Sequence, residues 1–260
     1  MKKVLLASMM GLLCLGEVQA QTLEYKTKLG NTKDKKVIIE MAGASVKIEG
    51  HNSDEVIIQA SSGSPAPPER AKGLKPLYQT GTDNTGIGLS VVAESGGLRI
   101  DKVTRKEVKY TIKLPSKVAV LYQEVNWQGG KITVGNMEGD LEIKTNGSDI
   151  ALSNVTGPVV ANTTSGNVNV VFSNLSQSKP TAISSISGEI DVSLPATAKS
   201  DMKLRSINVE MYTDFDLSTK TSRDGMARVG GGSNIEGTTN GGGVEVTLNT
   251  ISSNIYIRKK

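Results

Sequence analysis

The chain has 260 residues, a formal net charge of +4, one cysteine, one histidine and only 3% aromatic residues. So mild a charge marks no nucleic-acid surface. A lone Cys14 and a lone His51 supply neither a disulfide framework nor a Cys/His metal cluster.

At the start, Met1-Lys2-Lys3, an apolar run over residues 4–15 and Val18-Gln19-Ala20 make a secretory signal peptide, with cleavage between Ala20 and Gln21. The apolar run is too short to span a bilayer comfortably, so no transmembrane anchor is expected. Leu13 stands where lipoprotein processing needs a small residue, so Cys14 is not read as lipidated. Cleavage would remove it, leaving a mature chain without thiol or disulfide chemistry. The expected location is the periplasm or the cell surface.

Residues 21–127 read as an N-terminal β region. Val37-Ile38-Ile39, Ser45-Val46-Lys47-Ile48 and Val56-Ile57-Ile58 are strand-like, and His51 sits in a polar turn with no metal-ligating partner. Residues 61–86 hold Pro65, Pro67, Pro68 and Pro76 and cannot form a central strand. Three further strands are expected over 87–93, 98–103 and 108–114. Trp127, the single tryptophan, precedes the repeats. It is aligned with Thr145 of the next unit and expected to cover the end of the core, with stacking on a sugar as its functional alternative.

Residues 128–260 are organised by a repeat. A Gly- or Ser-marked turn is followed by alternating apolar residues whose first members are Ile132, Ile150, Val168, Ile190 and Ile207. Those positions step by 18, 18, 22 and 17 residues. A second alternating set lies between them: Val118/Val120, Leu141/Ile143, Val159/Ala161, Ile183 and Met202/Leu204. Each unit thus holds two short strands, apolar side in and polar side out. So short a pair buries its apolar face only by stacking on its neighbours. The fold expected is all-β: a single-chain β-solenoid, a β-helix-like stack of two-strand coils, with an antiparallel β-sandwich as the alternative. Glycines at 147, 166 and 188 are expected to supply positive φ in the turns. Residues 216–243 form a Gly-rich excursion, and 244–260 add a closing coil with Val244/Val246/Leu248 and Ile255/Ile257.

Gly139-Asp140-Leu141-Glu142-Ile143, the turn at 146–150 and Val155-Thr156-Gly157-Pro158-Val159-Val160-Ala161-Asn162-Thr163 resemble the bacterial "putative adhesin" β-strand-repeat family. The likeness extends to residues 44–50, to Asn240-Gly241-Gly242-Gly243 and to Asn254-Ile255-Tyr256-Ile257-Arg258, with Ser253 standing where the pattern usually has Gly. The resemblance implies a secreted, β-helix-like, non-enzymatic envelope domain of unknown function.

Two polar rows should face outward from the marked strands: Lys131, Asp149, Asn167, Glu189, Ser206, and Thr133, Ala151, Asn169, Asp191, Asn208. A β-helix enzyme acting on acidic polysaccharide would need clustered carboxylates for calcium and a basic proton acceptor. Asp149, Glu189, Asp191 and Glu210 are the only candidates, and the rows carry no basic residue beside them. The sequence therefore predicts no catalytic, cofactor or metal site. The candidate binding surface is Trp127, Asn167, Asn169, Glu189, Asp191 and Asn208. The expected role is adhesion or a binding scaffold for a macromolecule, whether glycan, matrix or envelope protein. The alternatives are a periplasmic accessory of envelope signalling or assembly and a polysaccharide-active β-helix enzyme.

Overall fold

Alternation of buried and outward residues runs through nearly every strand, as in Lys36–Met41 and Tyr110–Pro115. The computed structural model describes residues 23–30, 35–63, 69–74, 81–94, 96–127, 130–207, 209–219 and 233–260. The signal segment with its Ala20–Gln21 bond, Asn208, and parts of the 61–86 and 216–243 excursions lie outside them. In chain order the strands are β1 Leu23–Lys28, β2 Lys36–Met41, β3 Val46–His51, β4 Glu55–Ala60, β5 Leu89–Glu94, β6 Gly97–Lys102, β7 Tyr110–Pro115, β8 Ala119–Glu124, β9 Lys131–Gly135, β10 Leu141–Lys144, β11 Asp149–Val155, β12 Val159–Thr163, β13 Val168–Phe172, β14 Thr181–Ser185, β15 Ile190–Leu194, β16 Ser200–Ser206, β17 Met211–Thr213, β18 Ser218–Thr219, β19 Ser233–Thr239, β20 Val244–Thr250 and β21 Ile255–Lys259.

They form two facing sheets. One has ten strands in the order β1-β4-β7-β3-β9-β11-β13-β15-β21-β17; the other has eleven, β18-β19-β16-β20-β14-β12-β10-β8-β2-β6-β5. Each coil contributes one strand to each sheet, and successive coils pair in parallel. Ile150 pairs with Ile132 and Val168, and Val168 with Ile190. Like residues therefore stack on like, as the 18-residue step predicts, and the parallel ladders exclude the sandwich. The inward rows make one continuous, mostly aliphatic core from Leu29 to Ile257, with Tyr110, Tyr122 and Phe172 as its largest fully buried side chains. Both sheets draw strands from before and after residue 127.

The coils are not stacked in chain order. The closing coil β20/β21 is inserted between β14/β15 and β16/β17, pairing Leu248 with both Ile183 and Leu204. At the other end β2/β3 is sandwiched between β6/β7 and β8/β9. The first and last coils in sequence are thus interior in space. This corrects the expected fifth repeat. Ile207 is exposed, and it is Met211–Thr213 that pairs in register with Ile255–Ile257. A parallel stack left open would template further strands, and antiparallel additions break that template at three of the four sheet edges, the fourth being the short parallel strand β17. β4 and β1 cover β7, β5 covers β6, and β19 and β18 cover β16. Beyond β5, the Asn84 side chain donates to Val91 O and accepts Val91 N–H, occupying one rung of that edge.

Candidate functional site

Each coil turns two corners. At the first, chain passes from the eleven-stranded to the ten-stranded sheet, and the turns sit backbone on backbone. A Cβ placed on Gly188 would lie 1.8 Å from Gly166 O, and one on Gly166 would lie 2.0 Å from Ser148 O. Close approach is what requires these glycines. Their φ angles, like that of Gly147, are not positive, which corrects the expectation that they supply left-handed turns. Ser253 meets the same need differently, its Oγ donating to Ser187 O at 2.7 Å.

Under this corner runs a row of inward polar groups: Glu124, Thr145, Thr163, Ser185, Thr250 and Ser206, all buried. Glu124 is 6% exposed. Its Oε2 accepts the Asn146 and Gly147 N–H groups at 2.7 and 3.2 Å, and its Oε1 accepts the Ser148 hydroxyl at 2.6 Å. A carboxylate held by three donors is compensated in place and acts as a clamp on the next coil's turn. Thr163 and Ser185 each accept the N–H of the following Gly, Gly166 and Gly188. Near the far end of the corner Lys102 is buried, donating to Ala42 O at 2.6 Å and Gly43 O at 2.9 Å. Burial holds its ammonium below the ordinary lysine value.

At the second corner, chain returns to the eleven-stranded sheet, and the left-handed residues are asparagines. Asn136 has φ 58° and Asn154 φ 54°, and Asn154 Nδ2 donates to Asn136 Oδ1 at 2.6 Å. A bulge between Ser153 and Val155 accompanies the second of these turns. The corner opens into a groove of about 340 Å³ lined by His51, Ser116, Asn136, Glu138, Asn154, Thr156 and Ser173 among others. Thr156 also borders a second hollow of about 420 Å³, lined by Asn174, Leu175, Gln177, Thr197 and Lys199 among others. The two hollows share Thr156 and follow the second corner across successive coils; the first is lined by polar groups, the second also by Leu175, Pro195 and Ala198. His51 is spent locally, its Nε2 against Glu55 O and its Nδ1 accepting the Ser53 N–H. The channel was not legible in the sequence; two Asn residues eighteen positions apart in the repeat were its only signal.

Asn167, Asn169, Glu189 and Asp191 are gathered on the outer face of the ten-stranded sheet, on β13, β15 and the turns before them. Their row-one members cap successive coils. Asp149 Oδ1 accepts the Asn167 N–H, and Asn167 Oδ1 accepts the Glu189 N–H. The rows continue through Asn254 and Tyr256 to Tyr212, not through Ser206. Tyr212 and Tyr256 stack with centroids 5.4 Å apart. Arg258 stands beside Asp191, with Nε 3.0 Å from both carboxylate oxygens, so the expectation of no basic neighbour is corrected. That hydrogen bond raises the Arg258 pKa. The guanidinium also lies 5.4 Å from the Tyr256 ring centre. Trp127 is elsewhere, at the first corner. It is 67% exposed and does not cover the core; the residue in line with Thr145 is Glu124. Among the described residues no group of three or more His, Cys, Asp and Glu is placed to hold a metal ion, and no helix is long and apolar enough to cross a membrane.

The family model described as Toastrack DUF4097 matches residues 15–258. The chain belongs to that family. The Toastrack family is a domain of unknown function, and its β-solenoid-like stack is the architecture described above. Six solved chains also match. One is a "putative cell adhesion protein" from Clostridium sporogenes ATCC 15579, 12% identical, covering 92% of this chain and 100% of its own, with a TM-score of 0.46. Another is a "putative adhesin" from Bacteroides fragilis NCTC 9343, 12% identical, covering 93% of this chain and 98% of its own, with a TM-score of 0.33. No curated protein matches.

Proposed function

We propose that this Toastrack chain is an exported, non-catalytic binding scaffold of the cell envelope, and that the channel along its second corner receives an extended partner. The supporting observation is that amide and hydroxyl groups of Ser116, Asn136, Asn154, Thr156 and Ser173, which come from different coils, line one groove at this corner. A row of amides and hydroxyls, with the single charges of Glu138 and Lys199 beside it, suits a polymer with repeating hydroxyl groups. Among glycan, matrix and envelope protein partners, a glycan fits that chemistry best. The carboxylates argue the same way. Asp191 is held by Arg258 and Asp149 caps a backbone N–H, so each has a structural duty.

Solid-phase binding of the purified protein to a panel of glycans, matrix proteins and envelope fractions tests the reading. Binding to a glycan is expected, with loss in Ser173→Arg and Thr197→Arg, which fill the channel from exposed positions. Binding unchanged in both variants, or release of reducing or unsaturated sugar from any glycan, would overturn it.

A further inference from the structure

The outer face of the ten-stranded sheet carries charges of both signs, some with partners inside the chain, as Asp149, Lys26 and Asp214 have, and some without an ion pair among the described residues, as Lys109, Lys131 and Glu189. We propose that this face is a self-association surface, on which a second copy packs with its long axis reversed. The midpoint of the sheet falls between β9 and β11. On one side the outward rows carry Lys131, Lys109, Lys47, Lys113 and Lys26 against Glu24 and Glu49; on the other they carry Asp149, Glu189, Asp191, Glu210 and Asp214 against Arg258. Lys131, Lys109 and Glu189 are exposed and make no ion pair among the described residues.

A two-fold axis through that midpoint, parallel to the strands, keeps each residue's position along its strand and inverts the strand order. β9 then faces β11, β7 faces β15 and β1 faces β17. Lys131 meets Asp149. Lys109, in the same outward row through Ser45, meets Glu189. In the third row, Lys26 at the edge of the face meets Asp214 at the opposite edge. Each of these pairs occurs twice, as a two-fold interface requires. Lys47 meets Asn169 and Glu24 meets Tyr212, and no like charges are opposed at the described positions of the three rows.

The centre of the face suits contact. Gly135, Ala151 and Ser153 leave room there in the second and third rows, while Lys131 and Asp149 stand at the centre of the first. With strands about 4.8 Å apart the ten-stranded face covers roughly 700 Å² per copy. That is near the roughly 800 Å² per partner of an ordinary stable interface. Charge complementarity of this kind sets orientation and is weakened by salt. The channel at the second corner stays open in the pair, so this inference is independent of the function proposed above.

Sedimentation velocity of the purified protein is the test, at about 20 mM and about 500 mM NaCl, either side of the range where screening becomes short-ranged. A dimer is expected at low salt and dissociation at high salt. The double variants Lys109→Glu/Lys131→Asp and Asp149→Lys/Glu189→Lys should each lose the dimer, because each turns the facing 131/149 and 109/189 contacts into like-charge contacts. Mixing the two should restore it as a heterodimer. Among the described residues Lys109 and Lys131 make no ion pair, although Lys131 lies across from Asp149 on the neighbouring strand, so the thermal midpoint is measured alongside to separate loss of the dimer from unfolding. A wild type monomeric at low salt, a dimer indifferent to both double variants, or no recovery on mixing would overturn the proposal.

Discussion

The two corners of the coil solve the same problem, reversing the chain between sheets, by opposite means. At the first, turns lie in van der Waals contact. Gly166 and Gly188 leave room for the preceding carbonyl, and buried hydroxyls with the Glu124 carboxylate hold the turn N–H groups from beneath. At the second, Asn136 and Asn154 take the left-handed conformation and bond side chain to side chain, leaving a channel. A corner whose polar groups are satisfied from inside is closed to ligands. A corner whose amides face outward has donors and acceptors to offer.

Substitutions can break this contrast one corner at a time. The largest effect is expected for Gly188→Ala, whose methyl would fall on Gly166 backbone that cannot move without opening the ladder. A loss of about 3 kcal/mol or more is expected by chemical denaturation, the range of overpacking and strain. Next is Glu124→Ala, which strands two N–H groups and a hydroxyl under the first corner. It should cost about 2–3 kcal/mol and increase amide exchange at Asn146 and Gly147. Asn154→Ala, at the second corner, should cost less, about 1–2 kcal/mol for a left-handed residue without its side-chain bond, and should weaken partner binding as well. The smallest change sharpens the comparison from the other side. Among the described residues, Thr250 Oγ1 and Ser206 Oγ are buried without a hydrogen-bond partner. Thr250→Val should therefore be neutral to stabilising by up to about 1 kcal/mol in the same measurement. Destabilisation there would show that the hydroxyl row works as a connected network.

Much of the fold was legible because strand alternation and coil length are local properties. Ile132, Ile150, Val168 and Ile190 lie in one register, as their spacing required. The fifth step failed because Ile207 and Val209 carry the same local alternation as true strand residues, yet another coil takes the place beside β15. Of the candidate surface, Asn167, Asn169, Glu189 and Asp191 do share a face, but the groups that give it character were missed. Arg258 reaches Asp191 across 67 residues of sequence, and Tyr212 joins the row only because β17 lies beside β21. Glu124 could have been found by setting Gln123-Glu124 against Lys144-Thr145, which places a carboxylate in a row of hydroxyls.

The amino-acid sequence by itself determined which side chains point inward, how long each coil is and where the chain turns, because a strand of period two sorts its residues without reference to anything distant. Only the tertiary structure decided the order in which coils stack, which ends are covered, and which charged groups meet. Any coil with a matching apolar row can lie on any other, so the choice among them rests on contacts between residues far apart in the chain. The same contacts divide the polar residues between a sealed corner, an open channel and a charged face.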